Sequence, residues 1–174
     1  MTFRNRINLI FGKVKTFVKT GTWKEVGAYQ ATFSDFGTDL YANELVRSCI
    51  RAIAEHTSKA NPRCIRRSGE NKIAGDKQLE RMIQYRPNMY MNGKDFLYKC
   101  RTRYEIDNIL FIFINRDDKG KCVGLYPMPK AQYTAVDSNG ELFIEFSFGN
   151  GNKTTLPWED LAVLRKDYNS SDLS

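Results

Sequence analysis

Ile109-Leu110-Phe111-Ile112-Phe113-Ile114 is the longest apolar run in the chain, and its reading decides the fold. The six residues are β-branched, aromatic or leucine, and the run is too short to stand as an independent helix. It predicts a β-strand buried on both faces. It also falls far short of the roughly 20 apolar residues with which a helix crosses a bilayer.

Upstream of this run the apolar spacing is helical. Asn92 is a helix cap with Asp95 three positions on, followed by an apolar side of Phe96, Leu97, Cys100 and Tyr104. Lys94, Lys99, Arg101 and Arg103 are expected to stay outside. Gln78–Tyr85 forms a short helix carrying Leu79, Met82 and Ile83, ended by Arg86-Pro87-Asn88. Earlier still, Asp39 or Asn43 caps a helix whose buried stripe is Leu45, Val46, Cys49, Ile50, Ile53 and Ala54, and Pro62 stops it. Between these helices, Arg63-Cys64-Ile65-Arg66-Arg67 reads as a short edge strand turning at Ser68-Gly69-Glu70-Asn71.

Downstream the pattern is that of strands. A charged turn around Asp118-Lys119-Gly120 leads to Cys122–Tyr126, which ends at Pro127-Met128-Pro129. Gln132–Val136 meets Asn139-Gly140, the strongest short hairpin signal. Glu141–Phe148 then alternates, with Leu142, Ile144, Phe146 and Phe148 on one face. After the Gly149-Asn150-Gly151-Asn152 turn, Thr154–Leu156 and Leu161–Arg165 add strands. The fold class is α+β: amino-terminal helices followed by a mainly antiparallel β meander. The 174 residues divide into a basic amphipathic arm and linker over 1–37 and a single α+β domain over 38–174.

Charge is unevenly distributed. The net charge is +7, and residues 1–24 hold six bases and no acid. Residues 25–42 hold three acids and no base, residues 43–103 sum to +8, and the remainder to −4. Within the arm, Phe3, Ile7, Ile10, Phe11, Val14, Phe17 and Val18 repeat at helical spacing, largely opposite the bases. Candidate interaction residues are therefore Arg4, Arg6, Lys13, Lys15 and Lys19 in the arm, and Arg63, Arg66 and Arg67 in the basic strand, where they are able to hold phosphate. Gly21–Gly37 reads as linker or loop. An acidic end and a basic middle also suit head-to-tail contacts between subunits, and Arg101 and Arg103 are the cations such a contact would use.

Catalytic chemistry is poorly represented. There is no GxxxxGK[ST] phosphate loop, no GxGxxG, no GxSxG and no HExxH. His56 is the sole histidine, and its place near a helix end makes it a capping or surface residue. Cys49, Cys64, Cys100 and Cys122 have no zinc spacing and are expected to be reduced thiols packed as small apolar residues. Asp117-Asp118 and Glu159-Asp160 are adjacent pairs in turns, where solvation and not acid–base catalysis is expected. No catalytic residue, cofactor or metal is assigned, and no enzyme activity is expected.

Four segments, in order, resemble the amino-terminal half of phage portal proteins of the HK97 family. They are Asn43-Glu44-Leu45-Val46-Arg47-Ser48-Cys49-Ile50-Arg51-Ala52-Ile53-Ala54; Leu79 through Tyr85-Arg86-Pro87-Asn88-Met89-Tyr90-Met91-Asn92-Gly93; Val123-Gly124-Leu125-Tyr126-Pro127-Met128-Pro129; and Leu156-Pro157-Trp158-Glu159-Asp160-Leu161-Ala162-Val163-Leu164-Arg165. The resemblance implies a wing-like body from a ring at one capsid vertex, the head–tail connector through which DNA is packaged and ejected. It implies self-association as a ring in the full-length protein. Terminase, capsid or scaffold and head-completion proteins are the implied partners. Double-stranded DNA would pass through the channel, contacting residues outside this segment. The implied location is the virion, and the host cytoplasm during assembly, with no membrane. Stem helices and a channel loop would follow Ser174, so the chain is expected to be truncated before the stem. The alternative is a small module that binds nucleic acid, a membrane surface or a partner through the basic arm.

Overall fold

The computed structural model describes residues 24–25, 41–138, 140–149 and 151–166. The amphipathic helix expected over 1–20 and most of the linker lie outside the described residues.

The apolar run is the middle of a sheet. Strand β4 (Ile109–Arg116) lies between β5 (Cys122–Pro127) and β9 (Leu161–Arg165) in a three-stranded antiparallel sheet. Leu110, Phe111, Ile112 and Phe113 are all buried, so both faces of the strand are covered as expected. The β4–β9 register pairs Leu110 with Leu164 and Ile112 with Ala162. Among the described residues three helices precede this sheet: α1 (Glu44–Ser58), α2 (Lys77–Tyr85) and α3 (Gly93–Asp107). Phe96 and Cys100 of α3 pack with Leu110 and Ile112, and Met91, Leu97, Leu125 and Ala162 flank them.

The helix boundaries follow their caps. Asn43 accepts from the backbone N–H of Leu45 at 3.0 Å, and Asp76 caps α2 through the N–H of Gln78 at 2.7 Å. Asn92 accepts from Asp95 N–H at 2.8 Å, satisfying a donor that the first turn leaves open. At the far end of α3, Asn108 takes φ 57, a left-handed stop that asparagine tolerates. Gly93 opens α3 against α2: a Cβ there would collide with the carbonyls of Ile83 and Gln84, so only glycine allows this approach.

Helix α1 departs from expectation. Its buried residues are Ala54 and Ser58, with Val46 and Ile50 half-buried; Leu45 is 74% exposed, and Cys49 and Ile53 are also exposed. The line 46-50-54-58 faces α3, while 45-49-53 lies about 100° round the helix. Among the described residues, the apolar stripe is broader than the helix that covers it.

The chain forms two units. One contains α1 to α3, β4, β5 and β9, together with a hairpin of β2 (Ile65–Ser68) and β3 (Asn71–Ala74). The other contains β1 (Lys24–Glu25), β6 (Gln132–Ser138), β7 (Glu141–Ser147) and β8 (Lys153–Pro157), in the order β1–β6–β7–β8. In this second sheet Tyr133 opposes Phe146, and Ala135, Ile144 and Leu156 align across three strands. With Phe148, these residues form one buried face. Phe143 is buried on the opposite face, between Val136 and Pro157, a position that strict alternation leaves to solvent.

Two features differ from a simple meander. Lys24–Glu25, read as linker, is a short strand paired with Val136 and Asp137. β9 pairs with β4 rather than extending β8, so the strands belong to two sheets. The α+β class stands, with three helices and three antiparallel sheets among the described residues.

Candidate functional site

The basic strand is half of a free-standing hairpin. Its strands pair Ile65 with Ala74, Arg66 with Ile73, Arg67 with Lys72 and Ser68 with Asn71. All eight residues are exposed, and among the described residues no third strand joins either edge. The short edge strand expected here, turning at Ser68-Gly69-Glu70-Asn71, is found as β2. Asn71, read as the end of the turn, opens the partner strand Asn71–Ala74. Gly69 at φ 60 occupies the first turn position, where a two-residue hairpin of this hand requires glycine.

The root of the hairpin is tied to the body. Gly75 N–H donates to Cys64 O at 2.9 Å, and Cys64 N–H donates to Glu80 Oε2 at 3.0 Å. Gln84 Nε2 reaches Pro62 O at 2.7 Å. Glu80 and Asp76 are thereby engaged with backbone donors. None of Arg63, Arg66, Arg67 and Lys72 has an ion-pair partner among the described residues. Directly opposed Arg67 and Lys72 share a face, an arrangement that is destabilising in isolation.

Several other cations are engaged within the chain. Arg101 pairs with Glu105 and lies 5.3 Å from the Tyr104 ring centroid, and Arg103 pairs with Asp107 at 3.1 Å. Both arginines are partly buried and bind their own helix, so the expectation that they stay wholly outside is corrected. Lys166 also reaches Glu105, at 2.8 Å, and hydrogen bonding from Lys166 holds that carboxyl below its ordinary range. Burial raises Asp107 instead, outweighing Arg103 and Lys130. Asp160, expected to be merely solvated, pairs with Arg116 at 3.1 Å.

No catalytic constellation emerges from this geometry. Among the described residues, no cluster of His, Cys, Asp and Glu is arranged to hold a metal. His56 is exposed in the last turn of α1. Burial pushes the Cys100 thiol up to about 12 and raises Cys122, so both are thiols at neutral pH and not nucleophiles. Cys49 is exposed, contrary to the packed-thiol expectation. Arg4, Arg6, Lys13, Lys15 and Lys19 lie outside the described residues.

Sequence reading missed the rigid loop after α2. Asn88 is only 5% exposed; it donates to Leu125 O at 2.8 Å and accepts from Tyr90 N–H at 2.9 Å. Leu125 N–H in turn donates to Pro87 O at 2.8 Å. This fixes the loop on the outer edge of β5 and leaves Met89 and Tyr90 exposed.

An α+β body with basic surface features is the class this geometry defines. A family model described as "Phage portal protein" matches residues 44–174, and the chain belongs to that family. Its fold is similar to a chain of the "Neck of empty GTA particle computed with C6 symmetry", with TM-score 0.63 and 14% identity, covering 94% of this chain and 43% of that one. A chain of the "Neck of native GTA particle computed with C12 symmetry" matches with TM-score 0.62 and 14% identity, covering 92% and 42%. The chain thus spans less than half the length of these neighbours. None of the curated proteins matches it.

Proposed function

We propose that this chain forms the wing-like part of a phage portal, a structural head–tail connector without enzymatic activity. The carrying observation is the family match across residues 44–174. Ring self-association is supported by the printed C6 and C12 symmetries of the two neck structures. In this reading residues 38–174 are the wing-like body and residues 1–37 are an arm whose Arg4, Arg6, Lys13, Lys15 and Lys19 meet an anionic partner. Terminase, capsid or scaffold and head-completion proteins are the proposed partners, and double-stranded DNA passes through the assembled ring. The protein resides in the virion, and in the host cytoplasm during assembly.

The test begins with the source DNA beyond the Ser174 codon. The expected result is a reading frame continuing into long helices, whose product forms rings under negative-stain microscopy. A stop codon at that point, or a full product that remains monomeric under assembly conditions, overturns the portal reading.

A further inference from the structure

We propose that the β2–β3 hairpin binds the phosphate backbone of double-stranded DNA, with Arg66, Arg67 and Lys72 as its phosphate ligands and Arg63 supporting them. The inference stands on the hairpin and does not require the portal reading.

The hairpin is an unusual place to concentrate cations. Arg67 and Lys72 sit directly opposite one another on one face, and Arg66 lies on the other beside Ile73. Like charges in register cost stability, and a two-stranded ribbon has little to spare. Among the described residues no carboxylate forms an ion pair with them, Glu70 in the hairpin turn included. Nor do the charges guard a larger sheet from edge pairing, because among the described residues the hairpin belongs to no larger sheet. An external polyanion accounts for them.

The type of polyanion follows from what the hairpin lacks. None of Ile65–Ala74 is Phe, Tyr or Trp, so no side chain of the hairpin offers the stacking platform on which single strands are held. A two-stranded ribbon fits the major groove of B-form DNA, about 12 Å wide, while the deep major groove of an RNA helix excludes it. Cations on both faces match a groove walled by phosphates on both sides. The hairpin root, fixed through Cys64, Glu80 and Gly75, holds the ribbon to the body while it does so. A second copy of the chain is the less favoured occupant. Residues 131–166 carry five acids against three bases, and Glu145 and Asp160 are already paired with Lys153 and Arg116. Contact with phosphate alone is independent of base sequence.

The test is fluorescence anisotropy of the full chain with a labelled 24-base-pair duplex between 50 and 200 mM salt. Wild type is compared with R66A/R67A/K72A and with K94A/K119A/K121A, which removes equal charge from exposed positions elsewhere. Far-UV circular dichroism and urea midpoints establish that both variants fold, and both retain the arm. Three phosphate contacts contribute about 2.7 to the slope of log affinity against log salt. Wild type should therefore lose roughly 40-fold more affinity than the hairpin variant across this fourfold salt range. The control variant should keep a slope close to wild type. No binding by wild type at 50 mM, equal slopes for wild type and the hairpin variant, or equal losses in both variants overturns the proposal. So does loss of self-association in the hairpin variant, by sedimentation velocity, without a change in the DNA slope. A single-stranded 24-mer should bind more weakly and with little dependence on the hairpin; tighter hairpin-dependent binding to it also overturns the duplex assignment.

Discussion

Replacing Asn88 by alanine should destabilise the chain by about 2–4 kcal/mol. The carboxamide bridges two backbone groups: it donates to Leu125 O and accepts from Tyr90 N–H. Alanine leaves both without that partner, and each buried polar group left unsatisfied costs about 1–3 kcal/mol. Tyr90 is half exposed, so its N–H regains water and falls at the lower end of that range, while Leu125 O carries the larger penalty. Urea unfolding followed by far-UV circular dichroism measures the loss, and in a thermal scan it corresponds to a shift of roughly 5–15 °C for a chain of this size. Asn88→Asp separates the hydrogen bonds from simple packing. Its carboxylate accepts from Tyr90 but cannot donate to Leu125 O, whereas the protonated acid can. The folded-state pKa is then raised above the unfolded value near 3.9, so the variant regains stability relative to wild type as pH falls and loses it as pH rises through the folded pKa. A cost below about 0.5 kcal/mol for Asn88→Ala, the level of an ordinary surface change, would refute the argument. So would an Asn88→Asp variant whose deficit is constant with pH.

Phe146, 1% exposed in the second sheet, should lose about 3–5 kcal/mol on truncation to alanine, while exposed Leu45 should lose less than about 0.5 kcal/mol; urea midpoints of the two variants compare them directly. Glu105 is held below its ordinary range by Lys166, so its contribution is present above the unfolded pKa and fades as pH falls through the folded one. Asp107 is raised by burial, so its contribution is full below the unfolded pKa and lost as pH rises. E105Q should therefore soften acid destabilisation and D107N should sharpen it; matching acid limbs in the two variants would contradict this pair of assignments. Mass spectrometry after brief iodoacetamide treatment at neutral pH should find Cys49 modified first and Cys100 untouched until urea unfolds the chain, because Cys49 is exposed and burial holds the Cys100 thiol near 12.

Local chemistry made much of the fold legible. The run from Ile109 to Ile114 has the composition of a fully covered strand, and Asn92 followed by Asp95 has the spacing of a cap, so both were readable without tertiary information. What escaped depends on partners distant in sequence. Lys24–Glu25 becomes a strand only because β6 offers an edge more than 100 residues later. Leu161–Arg165 has an apolar pattern that fits β8 or β4 equally well, and the choice of β4 is a matter of register. The broad stripe of α1 gave no sign that α3 would cover only one side of it. At the candidate site, Arg63, Arg66 and Arg67 were visible as a basic strand, but Lys72 was not, because polar Asn71-Lys72 resembles turn sequence. The partners of Arg101 and Arg103 stand at i+4, the spacing at which ion pairs form along a helix, and were legible from the sequence.

The pairing of β4 with β9 sets an order on synthesis. β6, β7 and β8 are all made in the interval between Phe113 and Leu161, which are themselves cross-strand partners. At ribosomal speeds of about 5–20 residues per second, those 48 residues take roughly 2–10 s to emerge. Hairpins form in about 1–10 μs, so the β6–β8 meander has time to fold while β4 still has one bare edge. The most apolar strand of the chain therefore waits, half paired, for a segment made seconds later. A nascent chain stalled before Arg165 presents that open edge to its neighbours on the polysome, and the speed of translation through residues 114–160 becomes part of how cleanly the protein folds.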